Sequence, residues 1–305
     1  MYLQRHLIVG LVFLFQASKL LAAPVHHDLE VVVTPDIAAI EVRDTISLPK
    51  GYPASLTFSL HPALRPKLQD KTAKLIELPP PAVSRLSPLN QSAGIVPRRY
   101  RVELAAGTAS FTLYYSGSIA HSLQSKGEEY ARSFQETQGI ISPQGVFLSG
   151  ASVWYPHIDD QLITFDLRIR LPEAWKSMSQ GEILDTPTAG EHWRETHAQE
   201  EIYLVAGPFT PYTSTDSGVT AMVLLREADT ALAEKYLDTT HEYIALYSTL
   251  VGPDPFSKFA MVENFWETGY GMPSFTLLGS RVIRFPFILH SSYPHEILHN
   301  WWGNS

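Results

Sequence analysis

Cysteine is absent from this 305-residue chain. That absence excludes a disulfide framework, a cysteine nucleophile and a lipid-modified N-terminal cysteine. Charge is sparse as well. Charged residues make up 18%, with 23 Lys and Arg against 31 Asp and Glu for a net charge of −8. A mildly acidic chain without a basic cluster gives no support to nucleic-acid binding. The apolar run Leu7 to Phe15 is only nine residues long, far short of a hydrocarbon core of about 30 Å. Neither a glycine-rich phosphate loop nor a nucleophile-elbow serine motif occurs. What remains is a globular composition, 45% hydrophobic, punctuated by 22 prolines and 18 glycines.

The short apolar run still carries information. Arg5 and His6 precede it and Ala22-Ala23 follow it, the order of a cleavable export signal over residues 1–23. The chain is therefore expected to be exported, periplasmic or secreted, with no stable membrane span after cleavage. His26 and His27 would then sit in an exposed tail, or hold Cu(II) if cleavage made one of them the third residue.

From Leu29 to about Thr213 the dominant period is two. Ile163, Phe165, Leu167 and Ile169 alternate with Thr164, Asp166, Arg168 and Arg170; Ile40, Val42, Ile46 and Leu48 do the same around one polar intruder, Asp44. Strands at this density imply an all-β sandwich or saddle, with antiparallel pairing expected. The stretch Gly145 to Pro156 reads as a buried strand and turn, or else as a substrate-contacting loop. Residues 215–305 change period. Val219 to Leu225 reads as a strand, and Asp229 opens a helix with Leu232, Tyr236, Tyr243, Tyr247 and Leu250 on one stripe. Gly252-Pro253 ends it. Phe259–Val262, Phe275–Leu278 and Val282–Leu289 are expected strands, and Ser291 or Ser292 caps a final helix.

That final helix carries the chemistry. His295 and His299 are four residues apart, so their side chains differ by roughly 40° in azimuth and leave one face. Glu296 follows His295 directly. His-Glu-x-x-His is the arrangement of a zinc hydrolase, in which two imidazoles ligate the metal and the glutamate serves as general base. The plain alternative is a coincidence on an amphipathic helix, and the flanking residues speak against it.

His295-Glu-Ile-Leu-His299 followed by Asn300-Trp301-Trp302-Gly303-Asn304 resembles the zinc helix of the gluzincin aminopeptidases, the family of membrane alanyl aminopeptidase and leukotriene hydrolase. The resemblance implies a multidomain protein: a β-rich N-terminal domain over 24–214, then the start of an α+β thermolysin-like catalytic domain over 215–305. It implies one Zn²⁺, a peptide substrate and a third zinc ligand, a glutamate eighteen residues past the second histidine. Counted from His299 that ligand falls at position 318, beyond Ser305, so the chain is expected to be a truncated and itself inactive portion of a peptidase.

The same family carries a Gly-x-Met-Glu-Asn strand whose backbone lies along the substrate and whose glutamate holds the free amine. Gly271 and Met272 match its core, while Pro273 and Ser274 replace Glu and Asn. A cationic amine in a partly dry cleft needs a carboxylate. Either Glu263 or Glu267 supplies it, or this chain anchors no free amine; a solvated loop charge is the plain alternative for both acids. Zinc peptidase is thus a firmer expectation than aminopeptidase. The rival from another class is a non-catalytic, secreted β-rich binding module. Oligomeric state has no signature in the sequence.

Overall fold

The computed structural model describes residues 23–80, 96–125, 135–159, 161–185, 190–216 and 218–303. The export-signal residues before Ala23 lie outside the described residues, as do Asn304 and Ser305.

Alternation in the sequence becomes sheet. Every second side chain of Val25–Thr34, Ala39–Ser47 and Ile163–Arg170 is buried, because a pleated strand sends successive side chains to opposite faces. These strands lie in a seven-stranded sheet ordered Glu182–Leu184, Glu191–Gln199, Ile163–Arg170, Val25–Thr34, Ala39–Ser47, Ser110–Ser118, Lys67–Leu68. A four-stranded sheet holds Gly139–Ser142, Gly145–Leu148, Leu204–Gly207 and Lys176–Met178, and a three-stranded one holds Ser55–Leu60, Arg98–Glu103 and Lys74–Leu78. Val25–Thr34 runs parallel to Ile163–Arg170, against the antiparallel expectation. Period-two alternation reports which face a residue takes and says nothing of strand direction.

His26 and His27 are strand residues rather than an exposed tail. Val25 N donates to Leu162 O at 3.0 Å, and the strand is paired on both sides. His27 is fully buried with its Nδ1 2.8 Å from Asp44 Oδ2. Asp44, the polar intruder of its strand, thus has a partner on the core face of the sheet.

Residues from Thr210 onward build a five-stranded sheet in the order Thr210–Asp216, Val219–Leu225, Lys258–Asn264, Phe275–Gly279, Gly269–Met272. Its three central strands are mutually parallel. Lys258–Asn264 and Phe275–Gly279 are buried throughout, the expected state of parallel strands covered on both faces. One face, with Met222, Leu224, Ala260, Val262 and Leu277, joins the core of the β-rich portion. The other, with Val223, Phe259 and Met261, packs under two helices. Helix α1 (Thr230–Leu250) is the crossover between parallel strands, and helix α2 (Ser292–Leu298) follows the sheet. Asp229 caps α1, accepting from Leu232 N at 3.0 Å. The stripe fades at its far end, where Leu250 is 71% exposed.

Val282–Leu289 is not a strand. It forms two 3₁₀ segments, Val282–Arg284 and Pro286–His290. An apolar run of that length cannot distinguish strand from helix by itself. Pro286 has no N–H to give a ladder, and Arg284 and Phe285 bond locally to Arg281 O and Val282 O. No helix among the described residues is long and apolar enough to cross a membrane.

Candidate functional site

Helix α2 is set by what it buries. Tyr293 and Ile297 are fully buried, and Tyr293 lies edge-on to Tyr236 of α1 at 4.8 Å with its hydroxyl 2.6 Å from Thr240 Oγ1. Pro294 fits in the first turn, where helices tolerate proline. With those side chains turned inward, His295 is exposed and Glu296 and His299 are half-buried. Asn300, just past the helix, points back in and is fully buried.

The two imidazoles converge. His295 Nε2 and His299 Nε2 are 3.1 Å apart. Two nitrogens bound to one tetrahedral zinc at about 2.0–2.1 Å would be about 3.3–3.4 Å apart. His299 Nδ1 donates to Trp302 O at 2.9 Å, which leaves its Nε2 lone pair outward, the orientation a metal-bound histidine needs. Gly303 makes this possible. Its φ is +103°, and a Cβ there would come within 2.7 Å of His299 Nδ1. Burial raises the Glu296 carboxyl above the ordinary range, with the charges of His299 and His295 opposing that shift. The donor set fits two corners of a zinc site; among the described residues no three His, Asp or Glu side chains close on one point.

Beside α2 lies the Gly269–Met272/Phe275–Gly279 hairpin. Gly269–Met272 is the edge strand of the sheet among the described residues, with Phe275–Gly279 as its strand neighbour. Met272 is buried and Gly271 half-buried. Pro273 and Ser274 form the connecting turn, with Ser274 at φ +67°; proline first and positive φ second is the type II pattern. From the β-rich portion, Phe147 stacks on Tyr270 at 5.8 Å and meets Trp266 edge-on at 5.5 Å. Of the stretch Gly145–Pro156, the strand Gly145–Leu148 is thus both buried and in contact with the hairpin.

Glu263 and Glu267 are both engaged elsewhere. Glu263, 2% exposed, accepts from Arg226 N at 2.8 Å, Ser280 Oγ at 2.7 Å and Arg284 Nη1 at 2.8 Å. Glu267 accepts from Arg281 N at 3.1 Å and folds over Gly279, where a Cβ would collide with its Oε2.

Sequence reading missed a buried polar chain behind the hairpin. Asn300 Oδ1 accepts from Ser274 N at 3.1 Å, and Asn300 Nδ2 reaches both Asp254 oxygens at 3.3 Å. Lys258 Nζ donates to Ser274 Oγ at 2.7 Å and Ser274 O at 3.3 Å. The sequence signal was a lysine placed directly before the apolar run Phe259–Val262. A cavity of about 650 Å³ is lined by Glu195, His197, His241, Asp254 and Phe256 among others, and by none of His295, Glu296 or His299. The convergence of ligands, rather than the size of a cavity, locates the candidate centre.

No protein-family model and no curated protein sequence matches the chain. Solved structures do. Leukotriene A4 hydrolase of Saccharomyces cerevisiae (yeast), in its native form, superimposes with a TM-score of 0.64 at 16% identity, over 92% of this chain and 44% of the yeast enzyme. The M1 zinc metallopeptidase of Deinococcus radiodurans gives 0.59 at 15% identity, over 92% of this chain and 65% of that one. An aminopeptidase N family protein of Idiomarina loihiensis gives 0.56 at 13% identity, over 91% and 47%. The chain therefore spans less than half the length of the yeast enzyme. Over the part that aligns, it has the fold of the M1-type zinc aminopeptidases: a β-rich portion joined to the opening sheet and helices of a second, α+β portion.

Proposed function

We propose that the chain is the metal-binding and peptide-cradling part of an exported zinc peptidase that acts on peptides. The observation that carries the reading is the pair of Nε2 atoms 3.1 Å apart at the end of α2, with Glu296 between them in sequence and the edge strand Gly269–Met272 in the neighbouring sheet. His295 and His299 would hold Zn²⁺; a catalytic zinc takes three protein ligands, of which this pair supplies two. Zinc, when bound, supplies Lewis acidity toward a carbonyl and a water of lowered pKa. The Glu296 carboxylate takes the proton of the attacking water and returns it to the departing amine. The Gly271 and Met272 backbone aligns the peptide by strand-type hydrogen bonds.

The test is metal uptake. Zinc bound after dialysis should be sub-stoichiometric, abolished by His295→Ala or His299→Ala, and retained by Glu296→Ala. Undiminished zinc in both histidine variants would remove the metal centre and return the chain to the rival class, a secreted β-rich binding module. Where hydrolysis is measured, Glu296→Ala should lower it by roughly 10²–10⁴-fold while zinc stays.

A further inference from the structure

At the turn Pro273–Ser274 a polar contact joins the candidate peptide hairpin to Asn300, just past the candidate metal helix. Ser274 is fully buried and its backbone is left-handed. Its N–H is held by Asn300, the residue that follows His299, and its Oγ and carbonyl by Lys258. Its carbonyl also accepts from Ala260 N at 3.1 Å. Asn300 is tied in turn to Asp254, so the contact cannot slide without unpairing a buried group.

We propose that Lys258 and Asn300 are positioning residues that meet at Ser274 and fix the register of the Gly269–Met272 edge strand against the His295–His299 helix. The inference rests on the peptidase reading for its significance, though not for its geometry. Lys258 also reaches the β-rich portion, with its ammonium 5.3 Å from the Trp193 ring and 5.5 Å from the Phe275 ring. The charges facing it are Glu195, itself bonded to His197, and Asp254. Burial pushes the Lys258 ammonium down to about 7, with Glu195 and Asp254 opposing. Opening the turn would rehydrate the amine and restore its affinity for a proton. Closure should therefore tighten as pH rises above about 7.

Amide hydrogen exchange on the intact chain tests this without metal or substrate. After correction for intrinsic rates, protection of Ser274 and of residues 269–279 should rise between pH 7 and 9. Lys258→Met should abolish that rise, and Asn300→Ala should speed hairpin exchange by about tenfold or more. The two substitutions should combine non-additively, since they share Ser274. A flat wild-type profile overturns the Lys258 role even if Lys258→Met fails to fold. Unchanged hairpin exchange in Asn300→Ala, or strictly multiplicative effects, overturns the junction. Zinc uptake is measured separately, so failure of the peptidase reading leaves a different signature.

Discussion

Gly303 shows how much a single position decides near α2. A methyl group at 303 would collide with His299 Nδ1 and sit on a left-handed backbone. Gly303→Ala should therefore lose zinc affinity by roughly 10–100-fold, the usual effect of disturbing a ligand's hydrogen-bond partner. A chelator competition titration measures it; unchanged affinity would mean that the Trp302 carbonyl does not orient His299. Glu263 and Glu267 lead to a second expectation. Each carboxylate is already taken by arginine or backbone donors, and Pro273 offers no charge. Blocking a peptide's N-terminus should then leave kcat/KM within about threefold. A loss of tenfold or more would show that one of the two acids leaves its arginine to hold the amine, since an unpaired buried carboxylate costs about 1–3 kcal/mol.

Helix α1 and the hairpin are held by different physics. The 21 residues of α1 are stabilised by one capped end and one buried stripe of Ala233, Tyr236, Leu237 and Ile244. Asp229→Ala removes the cap and should cost about 0.5–2 kcal/mol, read as a lower urea midpoint with an unchanged slope. No change in midpoint would place the burden on tertiary packing alone. The hairpin instead depends on side chains distant in sequence, Lys258 and Asn300, and on Phe147 from the β-rich portion.

Across the molecule, buried bases make stability depend on pH. The unfolded Lys258 keeps its proton to about 10.5 and the folded one only to about 7. Unfolding between those values takes up a proton, so this contribution is complete above 10.5 and lost as pH falls to about 7. His61 repeats the pattern lower down. Burial, then the facing His121 at 2.8 Å, pushes it from 6.5 to about 4, so stability should fall as pH drops through that interval. Urea midpoints should rise from pH 4 to 6.5 and again from 7 to 9.5. Lys258→Met should flatten the upper rise alone; the same rise in that variant would assign it to other groups.

Local patterns in the sequence were enough for whatever depends on neighbours. Alternation placed Ile163–Arg170 and Ala39–Ser47 as half-buried strands, Asp229 marked the start of α1, and the spacing of His295 and His299 put both rings on one face. Each rests on a periodicity or a cap confined to a few residues. Tertiary structure decided the rest. It paired Val25–Thr34 parallel to Ile163–Arg170, turned Val282–Leu289 into 3₁₀ segments and buried His27 on Asp44. It also gave Glu263 to Arg284, and it brought Lys258 and Asn300 together on Ser274 across 42 positions of sequence (258 to 300). Strand direction, side-chain partners and the pKa of a buried lysine depend on groups far away in the chain, and no local pattern encodes which distant residue arrives.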